Sequence, residues 1–202
     1  MVARLQEGWQ SLRSELFPTR VLLELSDLLL VGQRLPRGRQ ALEEPWLVPV
    51  PAATIRQGEP REAEALGDFI GDLVLSHGAI GAHLNVVLPA STTQWRVLPW
   101  APSEWTLDPV GRLRQLKPDL ALGYGLEQAY LDVLPLEGDD DQTLVVAIDR
   151  ELLQRWLEVF GVAGVLLDRI VPAQVAVMAA LQERLAEADP QGLVALLMPE
   201  QK

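Results

Sequence analysis

His77 and His83 are the only histidines in the 202-residue sequence, and neither has the company that a metal ion or proton relay needs. A metal centre asks for three or four ligands converging at close spacing. These two imidazoles fall on different predicted elements, and the chain holds no cysteine. Capping or core roles are therefore expected for both. The lack of cysteine also removes disulfides, iron–sulfur clusters and thiolate nucleophiles. The acidic run Asp139-Asp140-Asp141 offers oxygen ligands for calcium but not the loop to arrange them. Counted from Asp139, the sixth position is Leu144 instead of glycine and the twelfth is Arg150 instead of glutamate. That run is expected to be a hairpin turn. A phosphate loop needs a lysine beside glycine-rich backbone, and neither Lys117 nor Lys202 has that setting. Gly123-Tyr124-Gly125 lacks the third glycine of a dinucleotide fingerprint. There is no Gly-x-Ser-x-Gly elbow. No catalytic residue, metal site or cofactor is predicted.

The tryptophans carry more information. Trp95, Trp100 and Trp105 stand in TQWRVLPWAPSEW, interleaved with Pro99 and Pro102. Core packing accounts for one or two of them. Three together can also line a groove for an apolar peptide, because aromatic anchors dominate protein interfaces. Both readings stand at this level.

These residues need a scaffold, and the composition supplies an ordinary one. Hydrophobic residues make up 49% and charged residues 22%, which fits a globular chain that needs no staple. The formal charge of −11 repels phosphate backbones, so nucleic acid is not an expected partner. The one basic cluster, Arg34, Arg37 and Arg39, sits with Pro36 and Gly38 and reads as a hairpin loop. The opening MVARLQEGWQSLRSELF has no signal-peptide pattern. The uncharged stretch 73–90 carries both histidines, Asn85, two glycines and Pro89, so no membrane span is expected.

Residues 1–18 read as an N-terminal amphipathic helix, with Val2, Leu5, Trp9, Leu12 and Leu16 at steps of three and four. Strands are predicted over 21–25, 28–32 and 46–50. A helix over 59–76 follows, with Ala65, Leu66, Phe69, Ile70, Leu73 and Val74 on its apolar face. Strands over 83–88 and 94–98 lead to a helix from about Ser103 to Lys117, interrupted by Pro109. An antiparallel pair, 130–134 and 143–148, precedes a helix over 150–160 closed by Gly161 or Gly164. A strand over 165–170, a helix over 173–188 and an apolar strand over 192–198 complete the order. This mixture points to an α/β sheet domain with a smaller inserted α+β unit.

From about residue 20 to 198 this order resembles the actin-like PilM family of type IV pilus assembly proteins, and the related cytoplasmic domains of type II secretion L proteins. The stretches that carry the resemblance are VLLELSDLLLVGQ, IRQGEPREAEALGDFIGDLV, NVVLPASTTQWRVLPW and QTLVVAIDRELLQRWLEVFGVAGVLLDRIVPAQVAVMAAL. It implies the first lobe of an actin-like, ribonuclease H-like fold. Residues 19–89 plus 172–198 would form the core, and residues 90–171 an inserted subdomain.

The resemblance also marks a departure. Relatives that bind ATP carry an Asp-x-Gly phosphate turn in the first hairpin, where this chain has Glu24-Leu25-Ser26. After Met198 the sequence reads Pro199-Glu200-Gln201-Lys202, with no counterpart of the second phosphate loop or second lobe. ATP binding in the family's manner is not expected. The implied role is a cytoplasmic, non-enzymatic scaffold, peripheral to the inner membrane through its partners. It would hold a cytosolic peptide of an inner-membrane pilus or secretion protein, with Trp95, Trp100 and Trp105 as its contact surface. The alternative is a nucleotide-binding half-molecule that completes an ATPase site with a partner chain. A third possibility is an α/β domain of unrelated role.

Overall fold

Strand β1 (Arg20–Leu25) buries Val21, Leu23 and Leu25 and turns Arg20, Leu22 and Glu24 the other way, the two-residue period of a strand covered more fully on one face. The computed structural model describes residues 19–36, 41–136 and 139–186. The predicted helix over 1–18, the strand over 192–198, and Arg37 and Arg39 of the basic cluster lie outside these residues. The chain divides into two units, residues 1–90 with 158–202, and residues 91–157.

In the first unit β1 pairs antiparallel with β2 (Leu29–Arg34), which pairs antiparallel with β3 (Trp46–Pro49). On its other side β1 runs parallel to β6 (His83–Leu88), and β6 runs parallel to β10 (Leu166–Pro172). The order across this sheet is β10-β6-β1-β2-β3. Parallel neighbours need crossover connections. Helix α1 (Ala63–Ser76) makes the first of these, burying Leu66, Ile70, Leu73 and Val74. The sequence places the start of α1 at residue 59, four positions early. Gln57 and Gly58 both take positive φ, 55° and 77°, and fold a tight ribbon between β4 (Ile55–Arg56) and β5 (Glu59–Pro60).

The capping role expected for histidine occurs at His77, whereas His83 stays partly exposed against a carboxylate and is not in the core. His77 ends α1: its N–H donates to Leu73 O, and its ring stacks on Trp46 with centroids 4.0 Å apart. His83 opens β6 and donates from Nδ1 to Asp168 Oδ1 at 2.6 Å, with Arg20 Nε 3.8 Å from the other carboxylate oxygen. Asp168 sits where the β10 register slips between Leu167 and Arg169, the signature of a bulge.

The second unit is a three-stranded antiparallel sheet of order β7-β9-β8: β7 (Thr93–Leu98), β9 (Asp139–Asp149) and β8 (Ala129–Leu136). One face is covered by helix α2 (Pro109–Leu116), whose buried Leu113 joins Trp100, Val133 and Val145 in a core. Pro109 does not interrupt this helix as the sequence suggests; it opens it. Asp108 caps the end, its Oδ1 accepting from Gly111 N at 2.8 Å, and Pro109 has no N–H to leave orphaned at the first turn. Only a single 3-10 turn, Pro102–Glu104, precedes it.

Helix α3 (Arg150–Val162) runs past Gly161, and Gly164 with φ +63° follows it. Its last residues and β10 belong to the first unit, so the insertion closes at Leu157 and not at residue 171. The reason is pairing: β10 takes its hydrogen bonds from β6. Helix α4 (Ala173–Ala186) follows, with Gln174 Nε2 donating to Ala90 O at 2.9 Å.

Candidate binding surface

The three tryptophans part company in the folded chain. Trp100 is 6% exposed, inside the core of the second unit, and its carbonyl accepts from the Thr143 hydroxyl. Trp105 packs against it with ring centroids 5.8 Å apart, and its Nε1 donates to Thr143 Oγ1 at 3.2 Å. Only Trp95 is turned to the other side of the sheet. Its indole N–H donates back to Thr93 Oγ1 at 3.0 Å, which leaves the ring as an apolar plate.

The strand register shows what lies beside that plate. Trp95 stands opposite Val146, which stands opposite Asp132; Val97 aligns with Leu144 and Leu134; Thr93 aligns with Ile148 and Tyr130. Successive side chains alternate between the faces. The intervening residues, among them Val133, Val145 and Ala147, fill the core, so these three rungs share the opposite face. Val97, Leu134 and Tyr130 are 50%, 44% and 55% exposed, and Leu144, Val146 and Ile148 are partly open. The result is an apolar sheet face with one carboxylate, Asp132, on its β8 margin. The Arg150 guanidinium lies 5.0 Å over the Tyr130 ring at one end. Its Nε and Arg114 Nη2 each donate to Ala129 O at 3.2 Å. Such a surface suits an apolar polypeptide segment, because contiguous exposed apolar area marks interaction sites.

Of the residues on this face, the sequence had singled out Trp95 alone as a candidate contact. TLVVAI is apolar in both phases, the pattern of a strand buried on both sides. Nothing in that run says that only one side is covered.

Glu24, Leu25 and Ser26 lie at the end of β1 and in the turn to β2. Leu25 is buried. Ser26 N and Ser26 Oγ both donate to Leu29 O, and Leu29 N donates to Ser26 Oγ at 3.0 Å, so the turn satisfies its own amides. Beside it, the Asp27 carboxylate accepts from Gln57 N at 2.6 Å and Gly58 N at 2.8 Å. A carboxylate therefore holds the two adjacent N–H groups that an anion would seek. Among the described residues no three His, Cys, Asp or Glu side chains are grouped to hold a metal ion. No helix among them is long and apolar enough to cross a membrane.

Two antiparallel strands feeding three parallel ones, with an α+β unit inserted after β6, define the first lobe of an actin-like fold. The chain is similar to a protein of the PilM-PilN type IV pilus biogenesis complex, with a TM-score of 0.67 and 22% identity over 83% of this chain and 51% of that one. It is also similar to the cytoplasmic domain of EpsL, an inner membrane component of the type II secretion system of Vibrio cholerae. There the TM-score is 0.55 and the identity 19%, over 76% of this chain and 57% of that one. The chain thus spans about half the length of these structures. No protein-family model matches it, and no curated protein matches it in sequence.

Proposed function

We propose that the chain is a non-enzymatic scaffold of a type IV pilus or type II secretion assembly. It acts on the cytoplasmic side of the inner membrane, held there by a cytosolic peptide of a membrane partner. The observation that carries this reading is the open apolar face around Trp95, Val97, Tyr130 and Leu134. The likeness in fold to proteins of pilus and secretion complexes supports the setting. The closed turn at Ser26 and the engaged Asp27 support a role without nucleotide.

Calorimetry against the N-terminal cytosolic peptides of single-span pilus and secretion proteins tests it. Replacing Trp95 and Val97 together by Ala is expected to weaken the bound peptide at least about tenfold, since central aromatic anchors carry most of an interface's energy. Undiminished binding by that double variant would reject this surface.

A further inference from the structure

At one end of the apolar sheet face two arginines stand together without a carboxylate. Arg150 Nε and Arg114 Nη2 each lie 3.2 Å from Ala129 O, so two guanidinium groups meet at a single oxygen. Among the described residues neither makes an ion pair, in a chain of 28 acids against 17 lysines and arginines. Acids close to them in sequence are engaged elsewhere. Asp149 Oδ1 accepts from Glu151 N and Leu152 N, Glu151 reaches Arg155 at 3.8 Å, and Asp132 Oδ1 accepts from Val133 N at 2.9 Å.

The pair is open to a ligand. Ala129 begins β8, an edge strand of its sheet. Arg114 reaches this edge half-buried from α2, and Arg150 reaches it exposed from the first turn of α3. Stacking over the Tyr130 ring at 5.0 Å holds the Arg150 plane without using its N–H groups. Its Nε serves Ala129 O, and its two terminal nitrogens make no bond among the described residues. Two like charges held at one oxygen repel each other, and a carboxylate accepting from both removes that repulsion. The terminal fork of Arg150 also fits two carboxylate oxygens at once, which the single oxygen of an amide cannot match. We propose that Arg150 and Arg114 form a carboxylate-binding subsite for the partner peptide. This assignment rests on the peptide-binding role proposed above and adds a chemistry to it. The peptide lays apolar side chains on Trp95, Val97, Leu134 and Tyr130 and places an aspartate or glutamate side chain at the Arg150 end.

A random linear peptide library displayed on phage, panned against the full chain and its variants, tests the subsite. Binders to the unaltered chain are expected to share apolar residues and an Asp or Glu at one fixed offset from them. That acid should be enriched about fivefold, the upper end of what a half-exposed ion pair is worth. Arg150→Gln should remove most of the acid enrichment and keep the apolar pattern. Arg150→Glu should replace the acid with Lys or Arg at the same offset. Ala129 O keeps its bond from Arg114 in both variants, and thermal melting checks that they stay folded. Apolar binders with no acid preference, or an acid preference undiminished by Arg150→Gln, would overturn the subsite and leave the peptide-binding role standing. An absence of binders, or binders indifferent to Trp95→Ala with Val97→Ala, would reject both.

Discussion

The Tyr124 hydroxyl is buried where no described residue offers it an acceptor, and that burial, helped by the nearby Asp149 charge and opposed by Arg96, pushes its pKa up to about 12. An unfolded tyrosine titrates near 10. Between those values the unfolded chain has released a proton that the folded chain keeps, so this group's contribution to stability is complete below about pH 10 and is lost as pH rises toward 12. Tyr130 is the only other tyrosine. In a Tyr130→Phe variant, tyrosinate absorbance should rise near pH 12 when folded and near 10 in denaturant; a folded midpoint near 10 would contradict the burial. Gly67 shows another residue whose role lies in what it touches. A Cβ there would meet Val162 Cβ at 2.6 Å and Val159 O at 2.8 Å. Alanine gains about 1 kcal/mol of helix propensity and loses about 2–3 kcal/mol to overpacking. Gly67→Ala should therefore lower Tm by roughly 2–8 °C, read by thermal melting. Neither contact is written locally. Val162 is ninety-five positions from Gly67, and helical spacing says only that Gly67 belongs near the buried face.

At the scale of elements, the second unit's sheet offers a test in which adjacent residues give opposite results. Val145 is fully buried between β7 and β8, and Val146 faces the open side. A lone charge in that core costs several kcal/mol, so Val145→Asp should unfold the unit, seen as lost protection of β7, β8 and β9 in hydrogen exchange. Val146→Asp should change stability by under about 1 kcal/mol and weaken peptide binding at least about tenfold. Equal damage from both would mean that the face is not open. The elements themselves were largely legible: the apolar run VLLEL and the apolar stripe of α1 place β1 and α1 within a few residues. What was not legible was what each face meets. Trp95, Trp100 and Trp105 share one short segment and similar local chemistry, yet the pleat and the turn at Pro99 send Trp95 to one side and Trp100 to the core. Pro109 misled for a different reason, since proline breaks a helix interior and favours its first turn; Asp108, one residue earlier, was the signal that decides between these.

For the whole molecule, the order of segments was enough to place an actin-like lobe, because β1, β2, β6 and β10 each read as strands and the crossovers between parallel neighbours have room for α1 and the insertion. The far boundary of the insertion was not readable. VLLDRIV has the composition of a strand, and only its pairing with β6, more than eighty residues earlier, assigns it to the large sheet. The resemblance implies that nucleotide-binding relatives have a turn here that admits phosphate, and the physical obstacles to one in this chain are specific. Leu25 fills the core side, Ser26 and Leu29 satisfy each other, and Asp27 already occupies the amides of Gln57 and Gly58. A phosphate entering there would displace a carboxylate from two charge-assisted bonds and meet its repulsion, in a chain of net charge −11. A ligand present at a hundred times its Kd stabilises a protein by about 2.7 kcal/mol, which in a domain of this size raises Tm by roughly 5–10 °C. With millimolar Mg-ATP the expected shift is within the error of the melt, with or without partner peptide. A saturable rise of several degrees in the presence of a second chain would instead select the half-site ATPase. Asp27→Ala separates the two readings further: in a scaffold it loosens the β4–β5 ribbon and lowers Tm without creating nucleotide affinity, whereas in a half-site ATPase removing that carboxylate should strengthen the Mg-ATP response.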